Sequence, residues 1–505
     1  MPTSAQAQTP SPTSNTSLPN LGDSSDLTLS AERRMGDRIA REIHRDPDFI
    51  DDPVLVEYVQ AIWQPLLAAA RLRGELSIEL DERFAFEIMM GRDRTVNAFA
   101  LPGGYFGLHL GLLAVVTSRD ELASVLGHEL SHVTQRHISR LISKQSAQTP
   151  WVIGAMILGA LAASKSADAA NALIAGGQAV AAQSQLNFSR DMEREADRVG
   201  FGVMTQAGFD PQGFVTMFDK LQNASRLNDN GSYPYLRSHP LTTERIADMQ
   251  ARQPLDGGAG GALVAVQSLV HAMVSSRANV LSNAKVDALR AWGVQVNSPA
   301  FVRLNAPRQV AGLYGAAMAS VRLREFANLP SLLSNLTTLA AQDPAAARQV
   351  RLLAAELALE TNDLRPAMAL MQGQTWAESN PAGPGRPELM LSSQALIRTG
   401  TPAMVDQAAQ QLQIWVTTHP RDAQAWQLLA GAYGAQGQTL RAIRAEAEVR
   451  VAQRDFSGAN DRFKAAQELA REQARRGRVD HIEASIIDTR ARQNALLLKE
   501  EAVER

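Results

Sequence analysis

The chain has no cysteine, so neither a disulfide framework nor a thiolate metal site is available to it. A surplus of charge is missing too. Fifty Lys and Arg stand against 52 Asp and Glu, a formal net charge of -2, which argues against nucleic acid as the main partner. The uninterrupted apolar stretch from Trp151 to Ala163 is followed closely by Lys165 and Asp168; a bilayer crossing needs about 20 apolar residues, so this is not a transmembrane helix. What remains is ordinary: 505 residues, 45% hydrophobic and 20% charged, enough for roughly two to four domains with normal cores.

The chain is organised around Ser118 to Leu141. Ser118 followed by Glu121 reads as a capping box, and Leu122, Val125, Leu126, Leu130, Val133, Ile138 and Leu141 recur at helical spacing, which predicts a buried helix. On it lies His128-Glu129-Leu130-Ser131-His132. Side chains four apart lie about 40° round a helix and about 6 Å along it, so both imidazoles can face one cation with Glu129 beside it as a base. A catalytic zinc usually takes a third protein ligand and keeps one position open. Glu193 and Asp197, also four apart on a segment that Gly208 can end, offer one carboxylate for the metal and another to orient a ligand imidazole or to handle a proton.

Three motifs in this order and spacing resemble the zinc metallopeptidases that include the CAAX prenyl protease and the HtpX heat-shock protease: His128-Glu129-Leu130-Ser131-His132, Glu193-Arg194-Glu195-Ala196-Asp197 in an E-x-x-A-D pattern, and Ser238-His239-Pro240 followed by Glu244-Arg245. Within that family the chain is most similar to the BepA-like group, which carries C-terminal tetratricopeptide-like repeats. The resemblance implies a mainly α protein, with a zincin-type α+β metallopeptidase domain holding a small sheet, followed by an all-α tetratricopeptide-like array. It implies one zinc per chain on His128, His132 and Glu193, with His239 as a fourth ligand that must leave before catalysis. Glu129 is then the general base, Asp197 an orienting or proton-donating group, and His239 and Arg245 stabilisers of the oxyanion. Asn97 and Ala98 are the implied backbone contacts to substrate. The implied setting is the periplasm, with outer-membrane proteins and their assembly machinery as protein partners. A rival role is a chaperone or assembly factor that binds through the array and rarely cleaves.

Residues 1–28 are rich in Ser, Thr, Pro, Gln and Asn and are expected to be disordered; they lack the charged start and apolar core of a signal peptide. The peptidase domain is expected over 29–296, a linker over 297–308 and the array over 309–505. Ser30 is the expected cap of the first helix, and Pro65 is expected to kink or interrupt a second over Pro53 to Leu72. Phe84 to Met90 reads as a strand. Thr95 to Leu101 and Tyr105 to Leu110 read as a hairpin running straight into the zinc helix, with an edge suited to gripping an extended peptide. Trp151 to Gln185 is expected to be a packed helical hairpin, a mobile cover over the cleft or a membrane-surface contact. Ala408 and Ala442 lie 34 residues apart, the tetratricopeptide period, and Trp426, Leu429 and Tyr433 fit its helix pair.

Overall fold

The structure, a computed structural model, describes residues 27–144, 189–226, 232–252, 268–370, 372, 385–477 and 480–503. The expectations for residues 1–26 and 151–185 lie outside these. Helix α1 (Leu29–Arg45) is capped by Thr28, whose hydroxyl accepts from the Ala31 amide at 3.2 Å, rather than by Ser30. Helix α2 (Pro53–Leu72) starts on an Asp52 cap and runs through Pro65 without ending. An interior proline costs about 3 kcal/mol. Burial of Ile62, Trp63, Leu66 and Leu67 around it offsets that cost, each large apolar side chain contributing about 1.5–3 kcal/mol.

After a short α3 (Ile78–Arg83) comes the sheet: β1 (Phe49–Ile50), β2 (Glu87–Gly91), β3 (Ala98–Leu101) and β4 (Tyr105–His109), in the order β1-β2-β4-β3. β2 and β4 are parallel, with Glu87 opposite Tyr105; β3 and β4 are antiparallel, with Ala98 opposite Leu108 and Leu101 opposite Tyr105. The expected hairpin is present, and Gly103 and Gly104 both take positive φ (73° and 78°) at its turn, which glycine adopts without steric cost. It does not run straight into the zinc helix: α4 (Leu110–Val115) intervenes before α5 (Arg119–Thr134). Ser118 caps α5 as expected, accepting from the Glu121 amide at 3.1 Å, while the Glu121 carboxylate reaches back to the Thr117 amide at 2.6 Å. Helix α6 (His137–Lys144) follows.

Helix α7 (Arg190–Gln206) crosses α5. At the crossing Gly200 and Gly127 meet: a Cβ on Gly200 would lie 2.9 Å from the His128 amide nitrogen and 3.0 Å from the Gly127 carbonyl. Only glycine permits that approach, and it sets Glu193 and Asp197 opposite the histidines. Helix α8 (Gln212–Arg226), the short α9 (Tyr235–Ser238) and α10 (Thr243–Ala251) complete the surroundings of the site.

The remaining elements form a mainly helical array: α11 (Leu269–Ser282), α12 (Val286–Val296), α13 (Ala306–Arg322), α14 (Leu329–Ala340), α15 (Pro344–Glu360), α16 (Arg365–Ala369), α17 (Arg386–Arg398), α18 (Pro402–Thr418), α19 (Ala423–Ala435), α20 (Thr439–Ala452), α21 (Phe456–Arg475) and α22 (His481–Val503). Trp415, Trp426, Leu429 and Tyr433 are buried between α18, α19 and α20. One apolar core runs from Ile50 to Leu357 and includes Phe301, within the stretch 297–308. Four arginines fasten the array to the N-terminal elements: Arg277 to Asp52, Arg348 to Glu57, Arg386 to Asp51 and Arg454 to Glu87. Among the described residues no helix is long and apolar enough to cross a membrane.

Candidate metal centre

His128 and His132 project from one face of α5, and α7 brings Glu193 to them from across the glycine crossing. His239, at the C-terminal end of α9, reaches in from a third side. Ligand atoms of these four residues all lie within 4.8 Å of one another, and all four side chains are buried. His128 Nε2 stands 3.0 Å from His132 Nε2 and 3.3 Å from His239 Nδ1, and His239 Nδ1 stands 3.1 Å from Glu193 Oε1. Ring nitrogens and a carboxylate converge on one small volume. A divalent cation would satisfy all of them at once, so the residues present fit a metal ion, and the all-nitrogen-and-oxygen donor set suits zinc.

Behind the ligands lies a second layer. His128 Nδ1 is 2.9 Å from Asp197 Oδ1. Asp197 is gripped on both oxygens by Arg245, at 2.6 and 2.8 Å, and the remaining Arg245 nitrogen lies 2.8 Å from Glu193 Oε2 and donates to the Pro240 carbonyl at 2.8 Å. The guanidinium of Arg245, expected at the oxyanion, thus makes its contacts to Asp197, Glu193 and the Pro240 carbonyl. Asp197 therefore stands between His128 and Arg245. Tyr235 stacks on the His239 ring with centroids 4.6 Å apart.

Glu129 is 1% exposed, and neither of its oxygens makes a well-formed hydrogen bond to a side chain. Its polar neighbours are His239 Nε2 at 3.4 Å and the Ala100 backbone on β3. Burial pushes its carboxyl above the usual range, as suits a group that must hold a proton transiently. Burial also raises the pKa of Asp197, but the Arg245 guanidinium outweighs it and holds the group ionised. Burial acts against protonation of His128, yet Asp197 and Glu193 together lift it to about 10 in the metal-free protein. For His132 burial and the neighbouring His128 act together to lower its pKa.

The edge strand β3 lies beside this cluster. The carbonyl of Asn97, one of the two expected backbone contacts, accepts from the His109 amide at 3.0 Å and so faces into the sheet. By the alternation of an antiparallel pair, the backbone groups of Val96, Ala98 and Ala100 face the free edge. Val96 already has partners there, donating to Ser232 at 2.8 Å and accepting from Tyr235 at 3.4 Å. The segment that carries His239 is thereby paired to the same edge. Sequence reasoning missed Ala100, Tyr235 and the pair His137–Glu195 behind His132. For His137 and Glu195 the signal was available, in a histidine five residues past His132 and in the second glutamate of the E-R-E-A-D run.

Comparison with known proteins agrees with this arrangement. Residues 57–253 match the model of peptidase family M48. The chain is 30% identical to the beta-barrel assembly-enhancing protease of Yersinia pestis over 444 residues, covering 85% of this chain and 83% of that protein. It is 38% identical to a putative beta-barrel assembly-enhancing protease of Vibrio cholerae over 241 residues, about half of each chain (46% and 47%). A mitochondrial metalloendopeptidase OMA1 of Schizosaccharomyces pombe is 29% identical over 229 residues, 45% of this chain and 63% of that protein. By these likenesses and its buried His-His-Glu-His cluster, the chain belongs to peptidase family M48, as a metalloendopeptidase similar to the beta-barrel assembly-enhancing proteases.

Proposed function

We propose that this protein is a zinc-dependent endopeptidase of the bacterial periplasm that acts on misassembled or unfolded outer-membrane proteins. The observation that carries the chemistry is the convergence of His128, His132 and Glu193 beside a buried glutamate whose oxygens have no well-formed hydrogen bond. The compartment and the substrates rest on the likeness to the beta-barrel assembly-enhancing proteases. His128, His132 and Glu193 hold the metal, one ion per chain, and His239 fills the fourth position in the resting state. When bound, zinc supplies a Lewis acid that polarises the scissile carbonyl and acidifies water. Glu129 takes the proton of the attacking water and returns it to the leaving amine. Ala98 and Ala100 accept an extended substrate as a strand added to β3, since backbone pairing grips a peptide whatever its sequence. Asp197 and Arg245 keep His128 and Glu193 oriented. His239 and the Ser232–Tyr235 segment must leave before substrate can pair, and His239 is then free to stabilise the oxyanion.

The test is Glu129→Gln, which keeps the shape and removes the base. Casein cleavage should fall by about 10²–10⁴-fold, while bound zinc and melting temperature stay near wild type. Appreciable residual cleavage would remove Glu129 from the role. One observation favours a second reading, a chaperone or assembly factor that binds through its tetratricopeptide-like array: the glutamate, the three histidines and Glu193 are all buried, so the resting protein presents the array and not the cleft. If Glu129→Gln preserves outer-membrane assembly in cells and truncation before Arg308 abolishes it, this second reading holds.

A further inference from the structure

The two ligand histidines of α5 are backed differently. His128 has a carboxylate directly behind it. Behind His132 stands another imidazole, with His132 Nδ1 and His137 Nδ1 2.8 Å apart. His137 Nε2 lies in turn 3.0 Å from Glu195 Oε2, and Arg140 holds that same oxygen at 2.6 Å. His137 is fully buried. It opens α6 after the positive-φ turn at Arg136 (52°) that breaks the helix behind His132, and this break is what points its ring back at the ligand.

From this geometry we infer that Glu195, acting through His137, sets the tautomer of His132 and so turns a lone pair towards the metal position before any metal arrives. The inference rests on the reading of His132 as a ligand. Its logic runs from the far end. A carboxylate paired with an arginine only accepts, so His137 carries its proton on Nε2 and donates it to Glu195. His137 Nδ1 is then a bare acceptor, and the 2.8 Å contact requires His132 to donate from Nδ1. A neutral imidazole with its proton on Nδ1 has its lone pair on Nε2, the atom that faces His128 Nε2 and Glu193. Glu195 and His137 are positioning residues: neither touches substrate or the reacting atoms. The sequence E-R-E-A-D therefore serves both ligand histidines, Asp197 behind His128 and Glu195 behind His132.

The experiment uses the full chain and two readouts. Zinc affinity is measured by chelator competition for wild type, His137→Phe and His137→Gln. Phenylalanine fills the space with no acceptor, whereas the glutamine amide oxygen can still accept from His132 Nδ1. His137→Phe should bind zinc about 10–100-fold more weakly, the usual cost of losing a partner behind a metal ligand, and His137→Gln should recover most of that loss. Equal loss in both variants would mean packing alone, and no loss in His137→Phe would also overturn the inference. Should His137→Phe fail to fold, ¹⁵N chemical shifts of histidine-labelled wild type, with and without zinc, decide it. His137 Nδ1 should appear unprotonated and His132 Nδ1 protonated in both states; a proton on His137 Nδ1 overturns the relay. If His132→Ala leaves zinc affinity unchanged, the ligand reading falls and takes the relay with it. If His132→Ala loses zinc while His137→Phe does not, only the relay falls.

Discussion

Arg245 at the metal centre and Arg277 in the array are chemically alike: each is a buried guanidinium, 4% exposed, between one aspartate and one glutamate. Around Arg277 every further contact is structural: the Tyr314 hydroxyl accepts from it at 3.3 Å, and Asp52 also caps α2. Asp52 takes two of its nitrogens at 2.7 and 2.8 Å, and Glu356 lies at 2.7 and 3.1 Å. Around Arg245 both carboxylates are shared with imidazoles, Asp197 with His128 and Glu193 with His239. A triple whose further contacts all go to the fold itself is a fastener. A shared one leaves nitrogen lone pairs and a carboxylate oxygen turned towards a common volume, which is what a cation needs.

The sharpest test of that contrast is to remove each guanidinium in turn. Stripping a buried pair of one partner costs about 3–5 kcal/mol. We expect a loss of that size for Arg277→Ala, read by urea unfolding and unchanged by zinc. Arg245→Ala should lose a similar amount in metal-free protein, bind zinc about 10–100-fold more weakly, and regain part of its stability when zinc is added, because the cation replaces the lost positive charge beside Glu193. Equal insensitivity of both variants to zinc would erase the distinction.

A smaller effect is expected at His239. Unlike ligands held on the long helices α5 and α7, it sits at the end of a four-residue helix. His239→Ala should raise casein cleavage several-fold and lower the metal's coordination number by one in X-ray absorption. An unchanged coordination shell would show that His239 is not a resting-state ligand.

Acid should separate the two regions by degrees. Burial alone would raise the Glu87 carboxyl, but His44 and Arg454 outweigh it and bring the group from 4.5 down to about 2. Its folded value is depressed, so its contribution to holding the array is complete above 4.5 and is lost only as pH falls towards about 2. Metal binding needs neutral imidazoles, and Asp197 and Glu193 lift His128 to about 10, so protons compete with zinc far above the pH at which Glu87 is protonated and zinc should leave first on acidification. Zinc release followed by dye fluorescence, beside small-angle scattering of the same samples from pH 7 to 3, should give that order. Opening of the array before zinc loss would mean that the fasteners are weaker than their geometry implies.

The helical periodicity of α5 with its Ser118 cap, the span of α2, the β3–β4 hairpin and the tryptophan-bearing helix pair α18–α19 are local properties, and each was legible. Helix boundaries were less so. Thr28 and Ser30 are equally good caps in sequence, and only the docking of α1 selects between them. Pro65 is a helix breaker locally, and only the buried face of α2 overrides it. The partners of Arg245 were not legible, because a guanidinium's partners are set by where its helix docks.

His128, Glu129 and His132 were determined by the sequence alone, because a spacing of four on one capped helix fixes their common face whatever the rest of the chain does. Glu193 and Asp197 were named as candidates by the same spacing on a second helix. That they meet the histidines was decided by the tertiary structure, through Gly127 and Gly200, 73 residues apart in the chain yet in contact at the crossing of α5 and α7. So too were the pairing of the His239 segment with Val96, the place of Ala98 and Ala100 on the edge strand, and the imidazole relay from Glu195 to His132. These are contacts between segments distant in sequence, and no local pattern of residues encodes which backbone edge or which ring nitrogen a remote segment will find.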